Sequence, residues 1–167
     1  MGPRIRLVAA MGALLLAPAL AGCGFTPLYA TQGVSAGLAN TEVITPEGRT
    51  GHLLSEDLQD DLAIRRGEPT LYQLALSVHE ERYARGLSTE NVATWYELSL
   101  RVSYSLIEKA TGRTLTAGVM PISVSYNAVG DPYAGIVAQQ DGQKRAAAEA
   151  AQRIRIELAV YLAKRAD

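Results

Sequence analysis

Three stretches of strict period-two alternation constrain this chain more than anything else in it. Residues 70–80 carry Tyr72, Leu74, Leu76 and Val78 in phase. Residues 94–107 do the same with Tyr96, Leu98, Leu100, Val102, Tyr104 and Leu106, and residues 115–127 with Ile122, Val124 and Tyr126. Side chains alternate across a strand, so each stretch has one apolar and one polar face. That is the signature of antiparallel strands packed on a core from one side only. Ala110-Thr111-Gly112-Arg113 reads as the hairpin turn between the last two, and residues 85–93 as a longer loop between the first two. Pro121 cannot donate to a ladder, which predicts a bulge or an edge position.

The apolar faces need a cover, and two helical patterns supply it. Leu54, Leu58 and Leu62 recur every four residues. Thr45-Pro46 offers a cap and a proline for the first helical position. Glu56, Asp57, Asp60 and Asp61 fall elsewhere around that helix, a solvated face rather than a cation site. Arg65 and Arg66 suit its last turn, and Gly67 and Pro69 end it. Asp131-Pro132 opens an alanine-rich helix to about residue 165, with Val137, Ala147, Ala151, Ile154, Leu158 and Tyr161 as its buried stripe. Gly142 lies within it at a cost of about 1 kcal/mol relative to alanine and marks where a kink would fall. With a short strand at 41–45, the order is β-α-β-β-β-α. This is an α+β two-layer sandwich: about four strands, mostly antiparallel, with two helices on one face.

The N-terminus carries different information. Arg4 and Arg6 precede an uncharged, mostly apolar run at 7–20, too short to span a bilayer comfortably. It ends in Leu20-Ala21-Gly22-Cys23, which matches the bacterial lipobox read by signal peptidase II. Cys23 is the only cysteine, so it forms no internal disulfide and its thiol is free to receive diacylglycerol. Each buried methylene adds about 0.8 kcal/mol, so two or three acyl chains anchor a protein essentially permanently. Residues 1–22 are thus expected to be a lipoprotein signal peptide, 23–40 a lipidated N-terminus and flexible tether, and 41–167 the folded domain. Gly24 is not the aspartate that marks inner-membrane retention in enteric bacteria. The expected address is the periplasmic side of the outer membrane. Cleavage before Cys23 leaves 145 of the 167 residues, with 14 basic against 17 acidic residues and a net charge of −3. A mildly acidic domain is a poor nucleic-acid binder.

No catalytic or cofactor motif is present: no nucleophile elbow, zincin helix, phosphate loop or dinucleotide fingerprint. His52 and His79, the only histidines, lack partners at metal-ligand spacing. Glu80 and Glu81 fall on opposite strand faces and make a poor acid–base pair. The expectation is no enzyme, no cofactor and no metal. The polar sheet face holds Ser77, His79, Glu97, Ser99, Arg101, Ser103, Ser105, Ser123, Ser125 and Asn127. It reads either as a solvated surface or as a contact surface for a polar partner such as the lumen of a large β-barrel. Arg82, Arg85, Lys109 and Arg113 sit at strand ends. They are ordinary solubility charges or, because both cations bind phosphate, contacts for lipopolysaccharide.

Three segments together resemble the alphaproteobacterial form of the LPS-assembly lipoprotein family LptE. They are Cys23-Gly24-Phe25-Thr26-Pro27-Leu28-Tyr29; the strand ending Val102-Ser103-Tyr104-Ser105-Leu106 with its Thr111-Gly112 turn; and Ser125-Tyr126-Asn127, Asp131-Pro132-Tyr133-Ala134 and Ala138-Gln139-Gln140-Asp141 leading into the last helix. Gly142 departs from the helix former expected after that aspartate. The resemblance implies a non-enzymatic plug and assembly factor for the outer-membrane barrel LptD in lipopolysaccharide transport. The alternative is a periplasmic lipoprotein that binds or acts on envelope material, which needs a closed pocket with converging polar groups.

Overall fold

The computed structural model describes residues 33–64, 67, 69–87, 93–128 and 131–166. Its elements run α1 (Val34–Ala39), β1 (Thr41–Ile44), α2 (Arg49–Asp61), β2 (Tyr72–Leu87), β3 (Ala93–Glu108), β4 (Arg113–Asn127) and α3 (Pro132–Ala166). The four strands form one sheet in the order β1-β2-β3-β4. β2, β3 and β4 are antiparallel, while β1 pairs with β2 in parallel, from Thr41↔Tyr72 to Ile44↔Ala75. A parallel partner needs a crossover, and α2 provides it.

The in-phase residues meet as expected. Leu74, Leu98, Leu100, Val102, Tyr104, Leu106, Ile122, Val124 and Tyr126 are buried with Leu54, Leu58 and Leu62 of α2 and Ile154 and Leu158 of α3. One sheet face is thus covered by α2 and α3, which also pack on each other. Alanines let the long helix approach closely: Ala146, Ala147, Ala150 and Ala151 are fully buried. At two points a glycine admits an aromatic ring. A Cβ at Gly118 would lie 2.7 Å from the Tyr104 hydroxyl, and one at Gly142 would lie 3.1 Å from Tyr126 Cδ1. Tyr104 crosses Gly118 to donate its hydroxyl to Glu157. Burial, and then that bond, hold the phenol well above its ordinary pKa.

Several expectations are corrected. The stretch read as a tether contains α1, whose Val34 and Leu38 are buried, so a third helix joins the core within 23–40. Thr41, also buried, donates its hydroxyl to the Gly37 carbonyl at 3.1 Å. α2 starts at Arg49 behind Gly48, not at Thr45-Pro46, and ends at Asp61. Thr45 instead bonds to the buried Ser55 at 2.8 Å. The expected 85–93 loop is shorter, because Arg85 belongs to β2 and Ala93 to β3. Of the two positions expected for Pro121, the edge is the one found: it lies on edge strand β4 with regular pairing to Arg101, and the register shift falls at Leu106/Ile107 instead. Val137 is 47% exposed rather than part of the buried stripe. α3 runs unbroken through Gly142, where the missing side chain makes room for Tyr126 instead of bending the helix. Arg65 and Arg66 lie outside the described residues.

Candidate functional site

The face without helices is built row by row from the strand register. At the end near the β3–β4 hairpin, Ala75 stands beside Ser105 and Ala117, and Ser77 beside Ser103 and Val119. Ile44 of β1 extends the first row. Their side chains are short, and the rows enclose an open trough of about 530 Å³ across the sheet. Val119 at its rim is 56% exposed.

Farther along the same strands the rows carry long polar side chains. His79 pairs with Arg101, Glu81 with Ser99, Tyr83 with Glu97, and Arg85 with Trp95. Six side chains of this region, His79, Glu81, Tyr83, Arg85, Glu97 and Ser123, are tied together in two groups. Glu97 accepts from Arg85 at 2.9 Å and from Ser123 at 2.7 Å, and those bonds, Ser123 first, hold its carboxyl below the usual range. Tyr83 and His79 both contact Glu81 and lower its pKa in that order. Two neighbouring regions of one face therefore differ: one smooth and small, the other a bonded lattice.

The four basic candidates do not form one patch. Arg85 lies on the uncovered face with Glu97. Arg82, one residue out of phase with Tyr83, lies on the other face. It bonds to Gln139 of α3 at 2.8 Å and stacks 5.0 Å from the Tyr96 ring centroid. Lys109 is at the opposite end of the sheet, 2.8 Å from Glu42. Arg113, at the same end, is 3.8 Å from Glu108 and lines a concavity with Leu115, Tyr161 and Arg165. Arg165 lies too far along α3 to be singled out in sequence, and only the fold brings it beside Arg113. Glu80 faces the helices, bonded to Thr50 and Gln143, whereas Glu81 faces outward.

Asp57, Asp60 and Asp61 meet Arg155 in a concavity between α2 and α3, where Arg155 approaches Asp61 at 4.0 Å. Burial, then Asp61, Asp60 and Glu56, raise the Asp57 pKa. Among the described residues no cluster of three or more acidic, histidine or cysteine side chains is arranged to hold a metal ion. No described helix is long and apolar enough to cross a membrane. Cys23 and its lipobox residues Leu20, Ala21 and Gly22 lie outside the described residues.

The LptE family model, described as lipopolysaccharide-assembly, matches residues 36–159. The chain belongs to the LptE family. That family consists of non-enzymatic, outer-membrane-associated lipoproteins of lipopolysaccharide assembly, and the four-stranded sheet with its helices is the family's fold. This LptE-family chain is similar to a lipoprotein from Caulobacter crescentus of known crystal structure. Identity is 46% over 78% of this chain and 96% of that one, with a TM-score of 0.69. The fold is shared by rare lipoprotein B from Shewanella oneidensis, at 17% identity over 72% of this chain and 93% of that one, with a TM-score of 0.54. It is shared too by a minor lipoprotein from Acinetobacter baumannii, at 15% over 73% and 92%, with a TM-score of 0.57. Among curated proteins none matches.

Proposed function

We propose that this chain is a lipoprotein held at the periplasmic side of the outer membrane through Cys23, and that it plugs and helps assemble the LptD barrel that delivers lipopolysaccharide to the cell surface. The observation that carries the reading is the uncovered sheet face. Small side chains at Ala75, Ser77, Ser103, Ser105 and Ala117 allow close approach of another polypeptide. Farther along the face, Glu97 is already bonded to Arg85 and Ser123, and Glu81 to Tyr83 and His79. Such a surface suits the polar wall of a barrel lumen, where an unpaired buried charge is costly. Membership of the LptE family supports the assignment to lipopolysaccharide assembly. Lipopolysaccharide contact is assigned to the hairpin end, where Arg113 and Arg165 flank one concavity with Lys109 on the same edge of the domain.

The test is affinity purification of the lipoprotein from detergent-solubilised outer membranes. A large barrel retained with it is the expected result, and a monomer free of any barrel overturns the proposal. The anchor is tested separately. Cys23→Ser is expected to accumulate as unprocessed, unlipidated precursor, and normal maturation of that variant removes Cys23 from the account.

A further inference from the structure

The sheet has two edges, and they are not alike. β1 has only four residues and pairs with β2 from Tyr72 to Ala75, whereas β2 runs on to Leu87. Among the described residues no other strand lies on that side, so β2 is itself an edge from Leu76 onward. Two bonds set the direction of its backbone groups. The Leu71 carbonyl accepts from the Lys109 N–H of the β3 side at 3.0 Å, and the Tyr72 N–H donates to the Asn40 carbonyl of the β1 side at 3.2 Å. Odd positions of β2 therefore face β3 and even ones face away, and the unbroken register with β3 carries that alternation to Ala84. The N–H and C=O groups of Leu76, Val78, Glu80, Arg82 and Ala84 point off the sheet, and among the described residues no backbone group bonds to them. The same alternation turns the odd positions of β4 outward, but two of those are stopped. Pro121 has no N–H to offer, and the Ser125 carbonyl accepts from Arg145 of α3 at 3.2 Å. β2 has no such stop, and its charges are drawn off the edge: Glu80 is held by Thr50 and Gln143, and Arg82 by Gln139. Its apolar side is also incomplete. Leu76 and Val78 are only half-buried, whereas Val102, beside Val78 on β3, is fully buried.

We propose that the β2 edge from Leu76 to Ala84 receives an extended strand from a partner polypeptide, which prolongs the sheet beyond the end of β1. A long strand edge that is not blunted is a template for another chain. Its donors and acceptors recur about every 6.6 Å, the repeat of an extended backbone. The partner strand is apolar on its helix side, where it completes the burial of Leu76 and Val78. A second copy of this chain is the poorer occupant. Full antiparallel overlap of two β2 edges sets Glu80 opposite Glu80, and the adjacent register sets Glu81 opposite Glu81; like charges directly opposite are destabilising. The inference rests on the reading of this domain as one that docks another protein, here through an edge rather than through the uncovered face.

The experiment is amide hydrogen exchange resolved to single residues by fragmentation mass spectrometry. It compares the lipoprotein in outer-membrane vesicles from its own cells with the purified lipoprotein alone in detergent micelles. The outward amides from Leu76 to Ala84 are expected to exchange fast in the purified protein and about tenfold or more slowly in vesicles, while those of Val119 and Ser123 on β4 stay fast in both. Equal exchange in the two states overturns the proposal. So does equal slowing at Val119 and Ser123, which means blanket coverage, or slowing that grows with the concentration of the purified protein, which assigns the edge to a second copy. Ala84→Pro removes one outward donor, as Pro121 does on β4, and leaves the ladder to β3 intact. It is expected to keep the thermal midpoint and to lose about tenfold of the protection at Arg82 in vesicles. Unchanged protection at Arg82 in the folded variant overturns the proposal as well, and if the variant does not fold the parent comparison decides alone. A barrel that co-purifies without edge protection sinks this inference and leaves the plug reading standing, and edge protection without a barrel does the reverse.

Discussion

The two halves of the uncovered sheet face share strands, twist and exposure, yet differ in what they offer. Near the hairpin, the rows through Ser105 and Ser103 are paved with alanine, serine and valine. Toward the other end, the rows through Glu97 and Ser99 are tied together by Arg85, Ser123, Tyr83 and His79. The smooth half has little to desolvate and lets a partner's backbone come close. The bonded half keeps Glu97 on Arg85 and Glu81 on Tyr83 and His79 before any partner arrives, so contact there leaves fewer groups stranded. The proposed plug role draws on both properties, and here they are separated along one direction of the sheet.

The strongest challenge to this contrast is a change that fills the hidden side of the smooth half. Gly118→Val should destabilise the fold by about 1–3 kcal/mol, because the new side chain occupies the path of the Tyr104 ring. Urea denaturation measures it, and an unchanged midpoint would mean that the ring has another place to go. Next comes the exposed side. Ser103→Tyr should leave stability intact and reduce barrel retention about tenfold, equivalent to about 1.4 kcal/mol, while Ser125→Tyr in the bonded half reduces it less. Equal losses at both sites would erase the distinction between the halves. The smallest effect is acid sensitivity. Glu81 and Glu97 have depressed folded pKa values. Their contribution is therefore present above the ordinary glutamate value of about 4.3 and lost as pH falls through the depressed folded values. Side-chain signals of Tyr83 and Ser123 should shift in that acid range before those of Ser103 and Ser77. Glu97→Gln should abolish the Ser123 part of that response with little change in stability, since exposed pairs contribute weakly.

Much of this architecture can be read from residue order because strand and helix periods are local. Leu98, Leu100 and Val102 declare a buried face through i, i+2 spacing, and Leu54, Leu58 and Leu62 through i, i+4. The same parity separates Glu80 from Glu81, and it also separates Arg82 from Arg85, although grouping those arginines by proximity in sequence obscured it. The hidden helix α1 carries only Val34 and Leu38 as apolar signals, among glycines and small residues that resemble a linker. Its order comes from packing on the C-terminal end of α3: a Cβ at Gly37 would lie 3.0 Å from Leu162. The candidate sites were legible to a smaller degree. Arg113 is visible as a strand-end cation, but its meeting with Arg165 bridges a separation of 52 residues and depends on where α3 finishes. The open edge of β2 has no signal in sequence, since it depends on β1 pairing in parallel and stopping at Ile44.

The residue order alone determined the alternating faces, the two principal helices, the lipobox-like run ending at Cys23 and the absence of familiar catalytic motifs. Each depends on spacing within a few residues. Tertiary structure decided the parallel pairing of β1 with β2, the choice of an edge over a bulge at Pro121, and the opposed placement of Arg82 and Lys109 at the two ends of the sheet. It also turned Gly118 and Gly142 from weak points into seats for aromatic rings. Those outcomes depend on register and helix docking, and these are set by contacts between residues far apart in the chain.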